Sequence, residues 1–222
     1  MTQPLHPSSA FNDFADQIID LPKGKLVTLK TYLSMPVPHQ SDDAALPEGF
    51  HLEPLGTKDH VRYRALFAQV GENWLWFSRL LLDDAGLQNE LGRKGHHAYA
   101  LVKTDRQSQK HRDVGLFEIH HATGGQPNPS NESELAFLGL DLDIRGLGLG
   151  PLLIRKALHA AHLKGAKRLC LNTCQLDDPR ALEFYQKMGF KVEKLALEIL
   201  TDPRHLGLYR KDTAPHIALA PF

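Results

Sequence analysis

Two groups of residues in this sequence have types and spacings suited to chemistry. The first is the run Ile144-Arg145-Gly146-Leu147-Gly148-Leu149-Gly150-Pro151. Glycines at alternate positions let a chain turn tightly, and a missing Cβ lets a ligand approach the backbone closely. A helix beginning just beyond adds unpaired N–H groups and a positive dipole end. Together these favour a phosphate or pyrophosphate. The second group is a set of proton-handling side chains before that turn: Glu118, His120 and His121. A carboxylate or imidazole can take a proton.

The glycine run departs from the better-known phosphate loops. A dinucleotide fingerprint needs G-x-G-x-x-G with an acid about 20 residues on. Here the third glycine arrives one residue early, and the strand that follows holds no acid before Asp177. No Gly-Lys-Ser/Thr follows, so a Walker loop is absent. A plain turn that packs helix on strand is the competing reading, and glycine turns alone are weak signals. The histidine pairs His96-His97, His120-His121 and His159/His162 lack a companion Cys or carboxylate at a recognisable ligand spacing. They read as solvent-facing, and no metal is expected. Cys170 and Cys174 lie on one face of a strand, too far apart to bridge, and read as buried free thiols.

The elements that would position these residues follow from periodicity and punctuation. Residues 24–34 alternate and carry Val, Thr and Tyr, so they form a strand. Residues 36–49, rich in proline and acid, form a linker. A strand follows at 50–55, then helices at 57–70 and 83–91. Strands are expected at 97–104, 114–121 and 134–143, the last apolar enough for burial on both faces. Residues 1–22 show little period, and 122–133 form a turn-rich loop. A helix over 151–166 has Pro151 in its first turn and Gly165 at its end. A strand at 167–176, a helix at 178–189 capped by Asp178, and a strand at 190–200 complete the order. Alternation of strand and helix from 134 onward predicts an α/β layered sheet with a parallel crossover.

Arg145-x-x-Gly148-x-Gly150 resembles the (Q/R)-x-x-G-x-(G/A) signature of the GCN5-related N-acetyltransferases, between the same kinds of element. Downstream, Asp178-x-x-Ala181-x-x-x-Tyr185-x-x-x-Gly189-Phe190 is similar to that family's N-x-x-A-x-x-x-Y-x-x-x-G-F, with Asp178 in place of asparagine. The resemblance is to a bacterial branch of the superfamily. It implies an acyl-CoA N-acyltransferase fold: a mixed, mostly antiparallel sheet flanked by helices, α+β layered, parallel where strands 134–143 and 167–176 meet. It implies acetyl-CoA as co-substrate and direct transfer to a primary amine of a small molecule or peptide. Arg145, Gly146, Leu147, Gly148, Leu149 and Gly150 would cradle the pyrophosphate. Backbone at Leu140 and Leu142 would meet the pantetheine arm. Tyr185 would contact the cofactor and protonate the thiolate. Glu134, eleven residues before Arg145, is the implied base, with Glu118, His120 and His121 as competitors. Trp74 and Trp76 read equally well as an acceptor wall or as core, and Arg79 would meet a carboxylate on the acceptor. Asp178 is expected to serve the helix rather than the cofactor. The implied division is an N-terminal extension with an added strand (1–49), an acetyltransferase domain (50–213) and a C-terminal tail (214–222). A homodimer is one arrangement the resemblance allows. An inactive acyl-CoA-binding regulator and a different nucleotide-dependent enzyme are the alternatives.

Composition sets the outer bounds. The chain has 222 residues, with 26 basic and 26 acidic side chains and 13 histidines. Hydrophobic residues at 42% and charged residues at 23% are ordinary for a globular chain and exclude whole-chain disorder. No basic run or amphipathic basic helix points to nucleic acid or membrane. No apolar stretch approaches the roughly 18 residues of a membrane helix. The first residues lack a basic region followed by an apolar one, and only two cysteines occur, so a reduced, cytoplasmic protein is the expectation. The neutral sum hides an imbalance. From Ile144 to Arg168 there are six basic residues and no acid, an expected cationic patch for the phosphates.

Overall fold

A computed structural model describes residues 18, 20–40, 43–121 and 131–221. The stretch read as aperiodic at 1–22 and the loop read at 122–133 fall mostly outside those residues. Seven strands form one sheet in the order β2-β3-β4-β5-β6-β1-β7. They are β1 (Lys25–Pro36), β2 (Phe50–Leu55), β3 (His96–Thr104), β4 (His111–His121), β5 (Glu132–Leu140), β6 (Arg168–Cys174) and β7 (Lys191–Thr201). Helices α1 (His60–Gly71) and α2 (Asp84–Leu91) lie between β2 and β3, α3 (Leu149–Leu163) between β5 and β6, and α4 (Ala181–Lys187) between β6 and β7. Every strand contact is antiparallel except β5 with β6. This is the mixed α/β architecture that the element order predicts.

Two apolar layers hold the sheet. On one face Leu153, Ile154, Ala157 and Ala161 of α3 pack on Val114, Phe117, Ile119, Leu135, Leu169 and Leu171. Those helical positions fall at spacings of three and four, so they share a face. On the other face Tyr63, Leu66, Phe67 and Val70 of α1, with Leu87 and Leu91 of α2, cover Ala98, Ala100, Val102 and Leu116. The alternation of β4 explains both layers: Leu116 and Glu118 point to α1, Phe117 and Ile119 to α3.

The N-terminal strand is not an added edge. β1 lies between β6 and β7 and pairs antiparallel with each, from Lys30↔Cys174 to Pro36↔Arg168 on one side and from Lys25↔Thr201 to Ser34↔Lys191 on the other. Leu26, Thr28, Thr31, Leu33 and Ser34 are buried as a result. The segment after β7 is also packed rather than loose. Ala214 and Ala220 are buried with Leu26 and Leu75. The buried Arg204 guanidinium donates to the carbonyls of Thr213, Ile217 and Ala218 and to Asp202. Gly24 donates its N–H to the Pro221 carbonyl at 2.7 Å, which ties the two ends of the described fold together.

Two boundaries move in ways that matter for the site. β5 ends at Leu140, three residues earlier than its apolar pattern suggests, and Leu142–Ile144 form a 3-10 turn. Asp141 donates its N–H to the Val114 carbonyl as the strand closes. β5 is also only half-buried, because one of its faces borders a cavity. The last helix starts at Ala181 rather than at Asp178.

Candidate functional site

The glycine turn joins the 3-10 turn to α3. Gly146 and Gly148 both have positive φ, 80° and 74°. A Cβ at either would meet nothing within 4 Å. Glycine is therefore required at these two positions by backbone conformation, not by space. Gly150 differs: its Cβ would come 3.2 Å from the Phe184 ring, so it lets α3 approach α4. Gly148 is the N-cap of α3 and offers no side chain to the first turn, which holds no acid. The N–H groups and positive end of a fifteen-residue helix are thus left for another partner. Gly148→Ala should lower stability by about 1 kcal/mol, the cost of a side chain in a left-handed conformation. In a chain of this size that is a fall of about 2–4 °C in melting temperature, read by calorimetry. A melting point unchanged within 0.5 °C or so would contradict the conformational argument.

That turn opens on a cavity of about 880 Å³. The cavity exists because β5 and β6 part company. They pair only from Glu132↔Arg168 to Glu134↔Cys170. Beyond that point Leu135 to Leu140 on one side and Asn172 to Cys174 on the other line the gap. Arg145, Gly146, Gly148, Leu149 and Gly150 line its phosphate-sized end, while Leu147 and Leu142 do not line it and are exposed. The early end of β5 leaves Leu142 in the 3-10 turn, and Leu147 lies between the two left-handed glycines.

Tyr185 on α4 faces the cavity while its ring packs against Phe184 and Phe190. The one side chain both packs and borders the cavity. Burial, with the charge of Asp177, pushes its phenol above the ordinary range, so it holds its proton at neutral pH. Trp74 and Trp76 also line the cavity. Trp76 sits in an aromatic cluster with Phe67 and Phe137, and its indole N–H donates to Asp177 at 3.0 Å. Gly71 and Gly139 make room for it, since a Cβ at either would come within 3.2 Å of the indole or closer.

At the other end of the cavity stand His120 and Glu134, neighbours across β4 and β5. A bulge at this point pairs Glu118 with Phe137 but Ile119 with Leu135. It leaves Glu134 and Phe137, three residues apart, on the same side of the sheet, as bulges near sites commonly do. Behind His120 lies Glu118, fully buried. Its Oε1 accepts from Arg79 at 2.6 Å and contacts His120 Nε2 at 3.1 Å, and Tyr63 donates its hydroxyl to Oε2. His96, its side chain wholly buried, brings Nε2 within 3.1 Å obliquely, so neither of its ring nitrogens has a well-aligned hydrogen bond. Burial alone would raise the Glu118 carboxyl. The contacts of His120 and His96 and the charge of Arg79 outweigh it and hold the group ionised, well below the usual carboxylate range.

The solvent-facing reading of the histidines therefore fails for His96 and His121, which are buried. His121 lies on the opposite face and meets Ser133 Oγ at 2.7 Å. Burial first, then His97, pushes its imidazole down to about 4. It does not line the cavity. Glu90, His96 and His120 bring donor atoms within 4.8 Å of one another, but Arg79 and Arg93 both hold Glu90 Oε1. The group is an ion-pair network around two guanidiniums. Arg79 lines the cavity and pairs through Nη2 with Glu118 and Glu90, while its buried Nε has no hydrogen-bond partner.

The acetyltransferase (GNAT) family model matches residues 81–190, from the turn before α2 to the end of the Tyr185 motif. The chain belongs to the GNAT superfamily. Solved structures agree on the fold. A GCN5-related N-acetyltransferase from Sphaerobacter thermophilus superposes with a TM-score of 0.53 at 13% identity, over 78% of this chain and 51% of that one. A GNAT-family acetyltransferase from Novosphingobium aromaticivorans gives 0.51 at 18%, over 82% and 68%. An aminoglycoside acetyltransferase from an uncultured soil sample gives 0.50 at 17%, over 65% and 90%. This chain spans about half the length of the Sphaerobacter protein. No curated protein matches in sequence.

Within this GNAT chain, the turn's arginine and the residue that departs from the motif are partners. Arg145 donates to Asp178 at 2.7 Å and to the Leu140 carbonyl at 3.2 Å, and its guanidinium lies 5.1 Å from the Trp74 ring centre. Asp178 also accepts from the backbone N–H of Arg180, the residue that caps α4. It is not the cap that the sequence suggests, because α4 starts at Ala181 and its N-cap residue is Arg180, but it holds the backbone just before the helix and clamps the turn. Arg180 and Arg145 hold its carboxyl below the ordinary range. The cationic patch is less free than its charge count implies. Lys156 pairs with Asp43, Arg168 with Glu193, and Arg145 with Asp178. Cys170 and Cys174 are half-buried rather than buried, and Cys174 lines the cavity. Burial, with Glu132 nearby, pushes the Cys170 thiol up to about 11.

Proposed function

We propose that this GNAT chain is an acetyl-CoA-dependent N-acetyltransferase that passes an acetyl group directly to an amine of a small molecule or peptide. One observation carries the reading: an uncapped helix N-terminus behind two left-handed glycines opens on the same cavity as a protonated phenol. The pyrophosphate of CoA suits the first. The departing thiolate suits the second. The parted strands β5 and β6 suit an extended pantetheine arm, whose amides need backbone partners such as the free edge of β5 beyond Glu134. The residues fit the polyanion in charge: α3 has no acid in its first turn, and the carboxylate of Asp178 is balanced by two guanidiniums.

In this reading a neutral amine attacks the acetyl carbonyl carbon and gives up a proton to a basic side chain of the cavity, the C–S bond breaks, and Tyr185 protonates the thiolate. The aromatic end near Trp74 and Trp76 and the polar end near Glu134 and His120 flank the acceptor. Binding to the native state raises stability by mass action. CoA at about a hundred times its Kd should stabilise the protein by about 2.7 kcal/mol. Thermal-shift measurements with CoA and with NAD separate this reading from that of another nucleotide-dependent enzyme. A shift with NAD and none with millimolar CoA removes it. CoA binding without thiol release across a panel of amines would instead favour a regulator that has lost catalysis.

A further inference from the structure

The structure points to a proton acceptor that no motif marks. We infer that His120, positioned by buried Glu118, takes the proton from the acceptor amine, and that half-exposed Glu134 guides the amine rather than deprotonating it. This rests on the acetyl-transfer reading above.

The geometry fixes the tautomer. Glu118 Oε1 is an ionised acceptor, so the His120 nitrogen facing it at 3.1 Å, Nε2, carries the hydrogen. Arg93 donates to Nδ1 at 2.9 Å, so Nδ1 presents its lone pair. Nδ1 is thus the basic atom, and His120 is one of the residues that line the cavity, next to Glu134. Glu134 Oε2 stands 3.9 Å from that same nitrogen, with its side chain 49% exposed. A neutral imidazole backed by a carboxylate is a stronger proton acceptor than a solvated carboxylate, and the buried charge stabilises the imidazolium that forms.

Every element packed around His120 contributes a charged or titratable group. Tyr63 comes from α1, Arg79 from the segment after it, Glu90 from α2, Arg93 from the following turn, His96 from β3 and Glu134 from β5. Glu118 and Glu90 balance Arg79 and Arg93, and the carboxylate of Glu134 adds one further negative charge beside His120. Arg93, 53% exposed, occupies the place at Nδ1 that the amine needs. An incoming amine takes over that position and finds Glu134 beside it. The step then balances. The N–C bond forms, the amine proton passes to Nδ1, the C–S bond breaks, and the thiolate takes the Tyr185 proton. Imidazolium and phenolate are restored by exchange with water.

The test is the pH profile of kcat/KM for an acetylated amine, with acetyl-CoA binding measured alongside by calorimetry. Wild-type protein should show activity rising with pH in one step as its base loses a proton. His120→Gln should bind acetyl-CoA normally, lose roughly 100-fold or more in kcat, and lose that step. Imidazole in the buffer should partly restore His120→Ala. Glu134→Gln should keep the step and raise KM. Glu118→Gln tests the positioning role. Since it disturbs a buried network, nitrogen-15 spectra of wild-type His120 provide a measurement free of any variant, and should show the neutral ring protonated on Nε2. A His120→Gln enzyme that keeps its step and its turnover overturns the inference while leaving the acetyl-transfer reading intact. So does loss of the step in Glu134→Gln alone, or an Nδ1-protonated ring. A wild-type protein that binds CoA but acetylates no amine overturns both.

Discussion

A chain beginning at Val37 should accumulate as insoluble protein, with no cooperative melting transition in whatever fraction stays in solution. The reason is the place of β1 in the sheet. It separates β6 from β7 and bonds to both. Without it, two strands lose their ladders at once. Leu26 and Leu33 leave cavities in two different apolar clusters. β7 would also be cut off, since its pairing in the sheet is with β1. It already exposes Leu195, Leu197 and Ile199. Exposed unpaired strands with apolar rows aggregate. Burial of two leucines alone is worth about 4–10 kcal/mol when each is cut to alanine, which is comparable to the whole stability of an ordinary domain. Circular dichroism and sedimentation of the shortened chain decide the matter. A soluble chain that melts cooperatively and still responds to CoA would show that β1 is dispensable.

Tyr185→Phe should be the most damaging single-atom change to turnover. Loss of a general acid costs about 100-fold to 10,000-fold. The ring remains, so its packing on Phe184 and Phe190 is preserved and the melting temperature should scarcely move. CoA should bind as before. The pH dependence carries a sign. The phenol acts when protonated, and burial raises its pKa above 10. Wild-type activity should therefore fall only on the strongly alkaline side, and that fall should be missing in the variant. An unchanged kcat would reassign Tyr185 to packing alone.

The two motif stretches were legible because their chemistry is local. The glycine turn and the 178–190 run each place their residues within one connection, so spacing alone locates them. The strand–helix order was legible for the same reason, since periodicity is a property of neighbours. What sequence could not show is what distant pieces do to one another. Nothing in residues 24–34 says that they enter the sheet between two strands encoded more than a hundred residues later. Nothing near Arg145 says that it would be held by Asp178. Glu118 is the instructive case. Beside His120 on its own strand, its partners Tyr63, Arg79 and His96 come from three separate segments, and only assembly brings them to it. One local signal was available: in Leu116-x-Glu118-x-His120, alternation carries a glutamate and a histidine on from an apolar, core-facing position. A charge on the inner face of a strand must be paired, so its partners could have been anticipated in kind though not by name.

The position of β1 has a consequence in time. Its two neighbours in the sheet, β6 and β7, come last of the seven described strands in chain order, ending at Cys174 and Thr201. At about 5–20 residues per second, β1 waits on the order of 10–30 s after leaving the ribosome before β7 exists to pair with it. During that interval Leu26, Val27, Leu29 and Leu33 have no sheet to enter. The sheet can close only after Thr201 has been made, which makes β1 the strand of the seven that waits longest for its partners.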